Sequence, residues 1–456
     1  MTVIRADRAL LPQGWAADVR LEIGADGRIA SVAPGAGSAE GEALHVALLL
    51  PAPINAHSHA FQRAMAGLTE GRGPDADGQD SFWTWRQLMY RFLDQLTPEQ
   101  VEAIAALVQM EMLEAGYAAV AEFHYLHHQP DGTPYDDIAE MSARIAAAAG
   151  QTGIGLTLLP VLYRWGGCDG RPLGSGQRRF GNGPDRFARI MERAAAALSG
   201  GPADWALGVA PHSLRAIDRE TLSEVPAMTE GPIHMHIAEQ VAEVEEVEAH
   251  FGARPVAWAL ENLPLSPRWN LVHCTQMTPA ETDGLARSGA TAILCPITES
   301  NLGDGIFDGV RFLAAGGHIA IGSDSNVRIG LTEELRTFEY SQRLRDHSRA
   351  ALATDRQSTG RRLWEAVCDG GARAAGRASG ALSPGSWADL IAVDIAHPDL
   401  AGLRGDAVLD ALVFAAGDTP VSEVWSAGRH MVRAGRHIHR DAVLHRYARA
   451  VASLRA

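Results

Sequence analysis

The apolar positions of this chain gather into short uninterrupted runs, separated by longer segments with helical periodicity. Eight runs stand out: Leu44–Leu50, Ala118–Phe123, Gly155–Leu162, Ala206–Ala210, Ile233–Ile237, Asn270–His273, Thr291–Cys295 and His318–Ile321. Their length and apolar content predict buried parallel strands. The segments between them carry helix signals. Thr97-Pro-Glu-Gln100 offers an N-cap threonine, proline at the first helical position and glutamine where a capping box needs it. Val101, Ile104, Val108 and Met112 follow at helical spacing. Thr278-Pro-Ala-Glu281 repeats the cap, and Asp185–Leu198 is an alanine-rich amphipathic stretch. Eight strands alternating with helices predict an α/β fold, a (β/α)8 TIM barrel. A doubly wound sheet is the alternative, but it does not usually need polar residues after nearly every strand.

The two ends of the chain read differently. Val3–Arg5, Asp18–Ile23 and Ile29–Val32 at one end, and Ala388–Asp394, Val421–Ser426 and His430–Arg433 at the other, are strand-like and divided by Gly-rich turns. Neither end is long enough to bury its own core. We therefore expect one small β-sandwich domain built from both termini, residues 1–50 plus 383–456, with residues 51–382 as the barrel.

In a barrel the chemistry sits at the C-terminal ends of the strands, so the residues there are the candidates. His57 and His59 follow the first run two residues apart, a spacing that puts both side chains on one side of a strand. His236 lies in the fifth run, and Asp324 follows the eighth. Three imidazoles and one carboxylate suit Zn²⁺ or Fe²⁺ with one position open for water. The chain has no lysine, so no carbamylated lysine can bridge two ions, which favours one divalent metal. Water on such an ion ionises at pH ~7. Glu239, three residues past His236, is placed to carry its proton, His273 to stabilise the hydroxide, and Asp324 to serve as a second proton acceptor. Taken singly, each residue has an ordinary reading. Glu239 could start an acidic helix, Val241–Ala249, and Asp324 could be a turn residue. His234 reads as structural. At least two of His124, His127 and His128 read as solvated loop residues. Together and in this order, each at a strand end, the four motifs point to a metal site.

Length and composition narrow the partners. The 456 residues allow a large domain plus a small one, and 46% hydrophobic with 21% charged residues describe a soluble globular protein. A net charge of −15 argues against nucleic acid and anionic membranes as partners. It also requires that any acidic substrate meet a local cluster of arginines. The four cysteines, far apart and without a CxxC pattern, read as reduced thiols. With no apolar signal-peptide core and no run of bilayer-spanning length, a cytoplasmic protein is expected.

PxPINAHSH, HMHIAEQ, LVHCT and GSDS together make the chain resemble the amidohydrolase superfamily, and the HxxE form without lysine resembles its mononuclear aminohydrolase branch. HAFQRAMAGLTE, SFWTWRQLMYRF, AEFHYLHH and APHSLRA are most similar to the N-formimino-L-glutamate deiminases of histidine degradation. That resemblance implies hydrolysis of a formimino group to N-formyl-L-glutamate and ammonia, and a homodimer. It also implies substrate contacts at Gln62, Arg86, Tyr125, His212 and Arg215. Two arginines suit a substrate with two carboxylates. The alternatives are a guanine or modified-purine deaminase of the same branch and, more remotely, a catalytically inactive metal- or ligand-binding barrel. Closure of a loop at Gly71–Gln79 over the substrate would fit its Gly- and Asp-rich composition.

Overall fold

A computed structural model of the chain describes residues 2–35, 43–70 and 82–454; the side chains of residues 82–84, 86–88 and 453 lie outside the described part. Eight parallel strand positions close into a barrel: Ile54–Ser58, Ala119–His124, Gly155–Leu162, Ala206–Leu207 with Ala210–Pro211, Ile233–Ile237, Trp269–His273, Thr291–Leu294 and His318–Ile321. Two bridges seal it, Val209 with Ile233 and Ser58 with Asp324. Seven of the expected runs are barrel strands. The fourth is divided at Gly208, where a Cβ would lie 2.5 Å from the Pro232 carbonyl oxygen.

The first run is the exception. Leu44–Pro51 is not a barrel strand; it pairs with Thr2–Leu11 and Leu390–Val393 in the terminal sheet, and Ile54–Ser58 takes the first barrel position. The physical reason is burial on both faces. Leu48 and Leu50 pack into the large core, whereas Leu49 packs into the core of the small sheet. A strand covered on both sides has the same apolar signature in either setting.

Both termini build that small sheet. Its strand order is Arg436–His437, Arg429–Arg433, Val421–Ser426, Leu390–Val393, Leu44–Pro51, Thr2–Leu11, Gly14–Ile23, Ile29–Ala33. The sheet curls until Ile29 donates to the Ser386 carbonyl, enclosing Ile4, Leu21, Ile23, Leu49, Leu390 and Trp425. The final helix, Arg440–Leu454, instead lies on the barrel, where Arg446 pairs with Glu102 at 2.6 Å. Both expected capping boxes are formed, at Thr97 and Thr278, and their helices pack outside the barrel. Among the described residues no helix is long and apolar enough to cross a membrane.

Candidate active site

His57 sits on the first barrel strand and His59 just beyond it, where the chain turns into the short helix Ala60–Met65. Strand eight is drawn against this segment. Asp324 N–H donates to the His57 carbonyl and His59 N–H to the Asp324 carbonyl, both at 2.9 Å. The approach requires glycine at 322, where a Cβ would stand 2.6 Å from the His57 Cβ. Asp324 itself is held at φ 48° and His273 at φ 73°, left-handed conformations that L residues seldom adopt and that gather at functional sites.

Four donors converge at the top of the barrel. His57 Nε2 lies 3.2 Å from His59 Nε2 and 3.1 Å from His236 Nε2. Asp324 Oδ1 is 3.2 Å from His59 Nε2 and 3.6 Å from His57 Nε2. His57 Nε2 thus faces two other ring nitrogens, and one proton cannot satisfy both contacts. Nitrogens bound to one Zn²⁺ at roughly 2.0–2.1 Å in tetrahedral geometry sit about 3.3–3.4 Å apart, so a divalent ion fits the set. The rings are also oriented from behind, since His59 Nδ1 faces the Phe123 carbonyl at 2.9 Å and His236 Nδ1 the His212 carbonyl at 3.2 Å. Such contacts hold Nε2 toward an ion. Burial lowers all three imidazoles below their ordinary pKa, His57 to about 3, so they are neutral donors. Burial alone would raise Asp324, but a hydrogen bond to His57 and the charge of His273 hold it ionised.

Glu239 stands on the loop after strand five. Its backbone N–H donates to Glu243 Oε2 at 3.0 Å, and that of Ala238 to Glu243 Oε1 at 3.3 Å. The helix that follows, Val241–Phe251, therefore anchors this loop, and Glu239 precedes the helix rather than starting it. Its carboxylate is 3.7 Å from His273 Nε2. Burial pushes the Glu239 carboxyl up to about 7, against the pull of His273, which suits a group that both takes and gives a proton. Burial works against protonation of His273, yet Glu239, the hydrogen bond to Glu299 and Asp324 raise it well above its ordinary value. Glu299 Oε1, on the helix Pro296–Leu302, holds His273 Nδ1 at 3.3 Å.

Above this floor opens a cleft lined by His59, His236, Glu239, His273 and Asp324 together with Gln62, Tyr125, His212 and Arg215. Gln62 Nε2 donates to Tyr125 Oη at 2.7 Å, and Tyr125 Oη to Met89 Sδ at 3.4 Å. Arg215 is buried in the wall. Arg86 belongs to the helix Phe82–Leu93, but its side chain lies outside the described residues, as does the segment Gly71–Gln79. Trp85, Met89, Tyr163, Phe180, Thr298, Leu302 and Ser325 also line the cleft. Trp85 and Met89 are four apart on one helix, a spacing that could have marked them. Phe180 lies in an irregular segment with no such signal.

The other histidines require a correction. His124, His127 and His128 are all buried rather than solvated. His124 ends the second barrel strand, and the loop after it folds inward, with His127 Nε2 on the Val161 carbonyl and His128 Nε2 on Asn182 Oδ1. His234 is structural, as its sequence suggested: its Nε2 is 2.7 Å from the Ala374 carbonyl, away from the cleft.

Comparison with known proteins identifies the family. The model of the amidohydrolase family matches residues 48–431, and that of the N-terminal domain of formimidoylglutamate deiminase HutF matches residues 1–46. A formimidoylglutamate deiminase of Pseudomonas aeruginosa is 51% identical over 440 residues, 96% of each chain. A 5-methylthioadenosine/S-adenosylhomocysteine deaminase of Halobacterium salinarum is 28% identical, over 77% of this chain and 74% of its own. The crystal structure of an amidohydrolase from Brucella melitensis superposes with a TM-score of 0.95 at 46% identity, covering 100% of both chains. That of an adenosine deaminase from Xanthomonas campestris with bound zinc shares the fold at TM-score 0.83 and 23% identity, covering 100% of this chain and 98% of its own. With the terminal sheet and the barrel both matched, the chain belongs to the amidohydrolase family, among its formimidoylglutamate deiminases.

Proposed function

We propose that this protein hydrolyses N-formimino-L-glutamate to N-formyl-L-glutamate and ammonia, a step of histidine degradation. One observation carries the reading beyond the family. A buried guanidinium, Arg215, shares the cleft with the histidine–aspartate cluster and Glu239. In a protein of net charge −15, that buried cation supports a substrate carboxylate beside the hydrolytic machinery. His57, His59, His236 and Asp324 would hold one divalent ion, Zn²⁺ in our reading, with Fe²⁺ fitting the same donors. Such an ion, when bound, supplies an acidified water and polarises the formimino group.

The chain's own residues do the rest. Glu239 takes one proton of the attacking water and delivers it to the departing nitrogen; Asp324 accepts the remaining hydroxyl proton as the tetrahedral carbon collapses to the formyl group, and that second proton passes to the same nitrogen, which leaves as ammonia. His273, held by Glu299, hydrogen-bonds the nucleophile. Arg215 grips a substrate carboxylate, a role we extend to Arg86 from its sequence. Gln62, Tyr125 and His212 orient the remainder. The small domain, residues 1–50 plus 383–456, contributes none of these groups to the barrel of 51–382. A cytoplasmic homodimer completes the proposal, and sedimentation of the purified protein tests the dimer.

Ammonia release from N-formimino-L-glutamate, N-formimino-L-aspartate and guanine by zinc-loaded protein tests the reaction. Turnover of formiminoglutamate alone is expected. Turnover of guanine instead would assign the aromatic walls, Trp85, Tyr163 and Phe180, to a base and remove the carboxylate clamp. Replacing Arg215 by methionine should lower kcat/KM for formiminoglutamate by about 10²–10³-fold, mostly through KM, because it removes one partner of a buried charge pair. The monoamide analogue lacking the gripped carboxylate should lose far less. An equal loss on both would overturn the role of Arg215.

A further inference from the structure

Beside the four-residue cluster lies a second group of donors. Glu239, His273 and Asp304 each place one donor atom within 4.8 Å of the other two. Glu299 holds His273 Nδ1, which leaves Nε2 facing Glu239 Oε1 at 3.7 Å. An imidazole backed by a carboxylate is a common arrangement among metal-ligating histidines. Asp304 supplies the independent observation. It is 2% exposed, its Oδ1 accepts from the Gln240 amide, and its Oδ2 has no hydrogen-bond partner. Gln276 Nε2 donates to the Asp304 carbonyl, so tying three loops together accounts for Oδ1 and the backbone oxygen but not for Oδ2. A buried acceptor left without a donor costs about 1–3 kcal/mol. A cation held between the three side chains would give Oδ2 the partner it lacks.

We propose that Glu239, His273 and Asp304 form a second, weaker site for a divalent cation of the zinc class, and that its occupancy switches the enzyme off. One imidazole nitrogen and two carboxylate oxygens are donors that Zn²⁺ accepts. The site is weaker because it offers three donors rather than four. His273 Nε2 also lies only 3.9 Å from Asp324 Oδ2, so ions at both sites repel each other. An ion there is inhibitory because it occupies the carboxylate that carries the proton. Glu239 and His273 line the cleft and provide its entry. The inhibitory part rests on the role proposed above for Glu239; the binding part does not.

The test uses protein carrying one equivalent of zinc, dialysed against rising free Zn²⁺, with metal per chain and turnover measured in parallel. A second equivalent should bind, and turnover should fall in step with it. Asp304→Asn keeps an oxygen for Gln240 and removes only the unpartnered Oδ2. This variant should retain near wild-type turnover with one ion, and need at least about tenfold more zinc both for the second equivalent and for inhibition. Binding that stops at one equivalent in the wild-type protein would overturn the site even if the variant fails to fold. Unchanged zinc inhibition in Asp304→Asn would overturn it as well. Protein that binds the second ion in an Asp304-dependent way but never turns over formiminoglutamate would uphold the site and overturn the proposed reaction.

Discussion

Replacing Glu239 by glutamine should lower kcat for formiminoglutamate by about 10²–10⁴-fold, the range associated with losing a positioned proton carrier. The substitution preserves shape and removes the exchangeable charge. It leaves the four converging donors intact, because Glu239 is not among His57, His59, His236 and Asp324. Metal content should therefore stay at one ion per chain, and substrate affinity should change little. The backbone around residue 239 should also persist, because Glu243 anchors it through the N–H groups of Ala238 and Glu239 rather than through the Glu239 side chain. The measurements are steady-state turnover, metal analysis and direct substrate binding on the same preparation. Turnover within about tenfold of wild type would assign the proton transfer elsewhere, and loss of metal would make Glu239 a ligand.

The largest effect on stability is expected far from the cleft, where the barrel meets the terminal sheet. Arg377 donates to Asp389 Oδ2 at 2.7 Å and to Asp204 Oδ2 at 2.9 Å, and all three side chains are almost fully buried. Arg429 adds a pair of bonds to Asp204, and Asp389 also accepts from Ala427 N–H and Ser379 Oγ. Asp204 leads into barrel strand four, whereas Asp389 immediately precedes the sheet strand Leu390–Val393 and Arg429 begins the sheet strand Arg429–Arg433, so the network joins the barrel to the terminal sheet. Arg377→Met would leave buried carboxylates without their shared cation, at a cost of about 3–5 kcal/mol.

The dependence on pH follows from Asp389. Burial would raise its pKa, but the charge and hydrogen bonds of Arg377 hold it below the ordinary value. A depressed carboxyl stabilises the fold above its unfolded pKa, near ~4, and that contribution disappears as pH falls through the folded value. The gap between wild type and Arg377→Met should thus be full at neutral pH and shrink below about pH 4. Urea unfolding at both pH values checks this. A difference below about 1 kcal/mol at pH 7 would make the network dispensable.

Much of the site was legible because its chemistry is local in sequence. His57 and His59 are two apart, and Glu239 follows His236 by three. Apart from His57 and His59, whose strand Ile54–Ser58 was not among the runs, each motif stands in or just past an apolar run whose length marks a strand. The capping boxes at Thr97 and Thr278 were equally local, since N-cap, proline and third residue lie within four positions. Where a feature depended on what covers a segment, the pattern was silent. Leu44–Leu50 reads as a buried strand whether it joins the barrel or the sheet, and only its partners, Thr2–Leu11 and Leu390–Val393, decide. His124, His127 and His128 look like solvated loop residues, but His124 ends a strand and the loop after it folds inward. Phe180 and Asp304 reach the site from irregular segments whose spacing carries no period.

The sequence alone thus determined which donors exist and that each stands at the end of a strand, because composition and periodicity are properties of neighbouring residues. Only the tertiary structure decided that they meet. His57 and His236 are 179 positions apart yet bring Nε2 atoms to 3.1 Å, and Asp304 comes to face Glu239 across two loops. Such contacts depend on barrel closure and on the side chains packed between the elements, which no local pattern records.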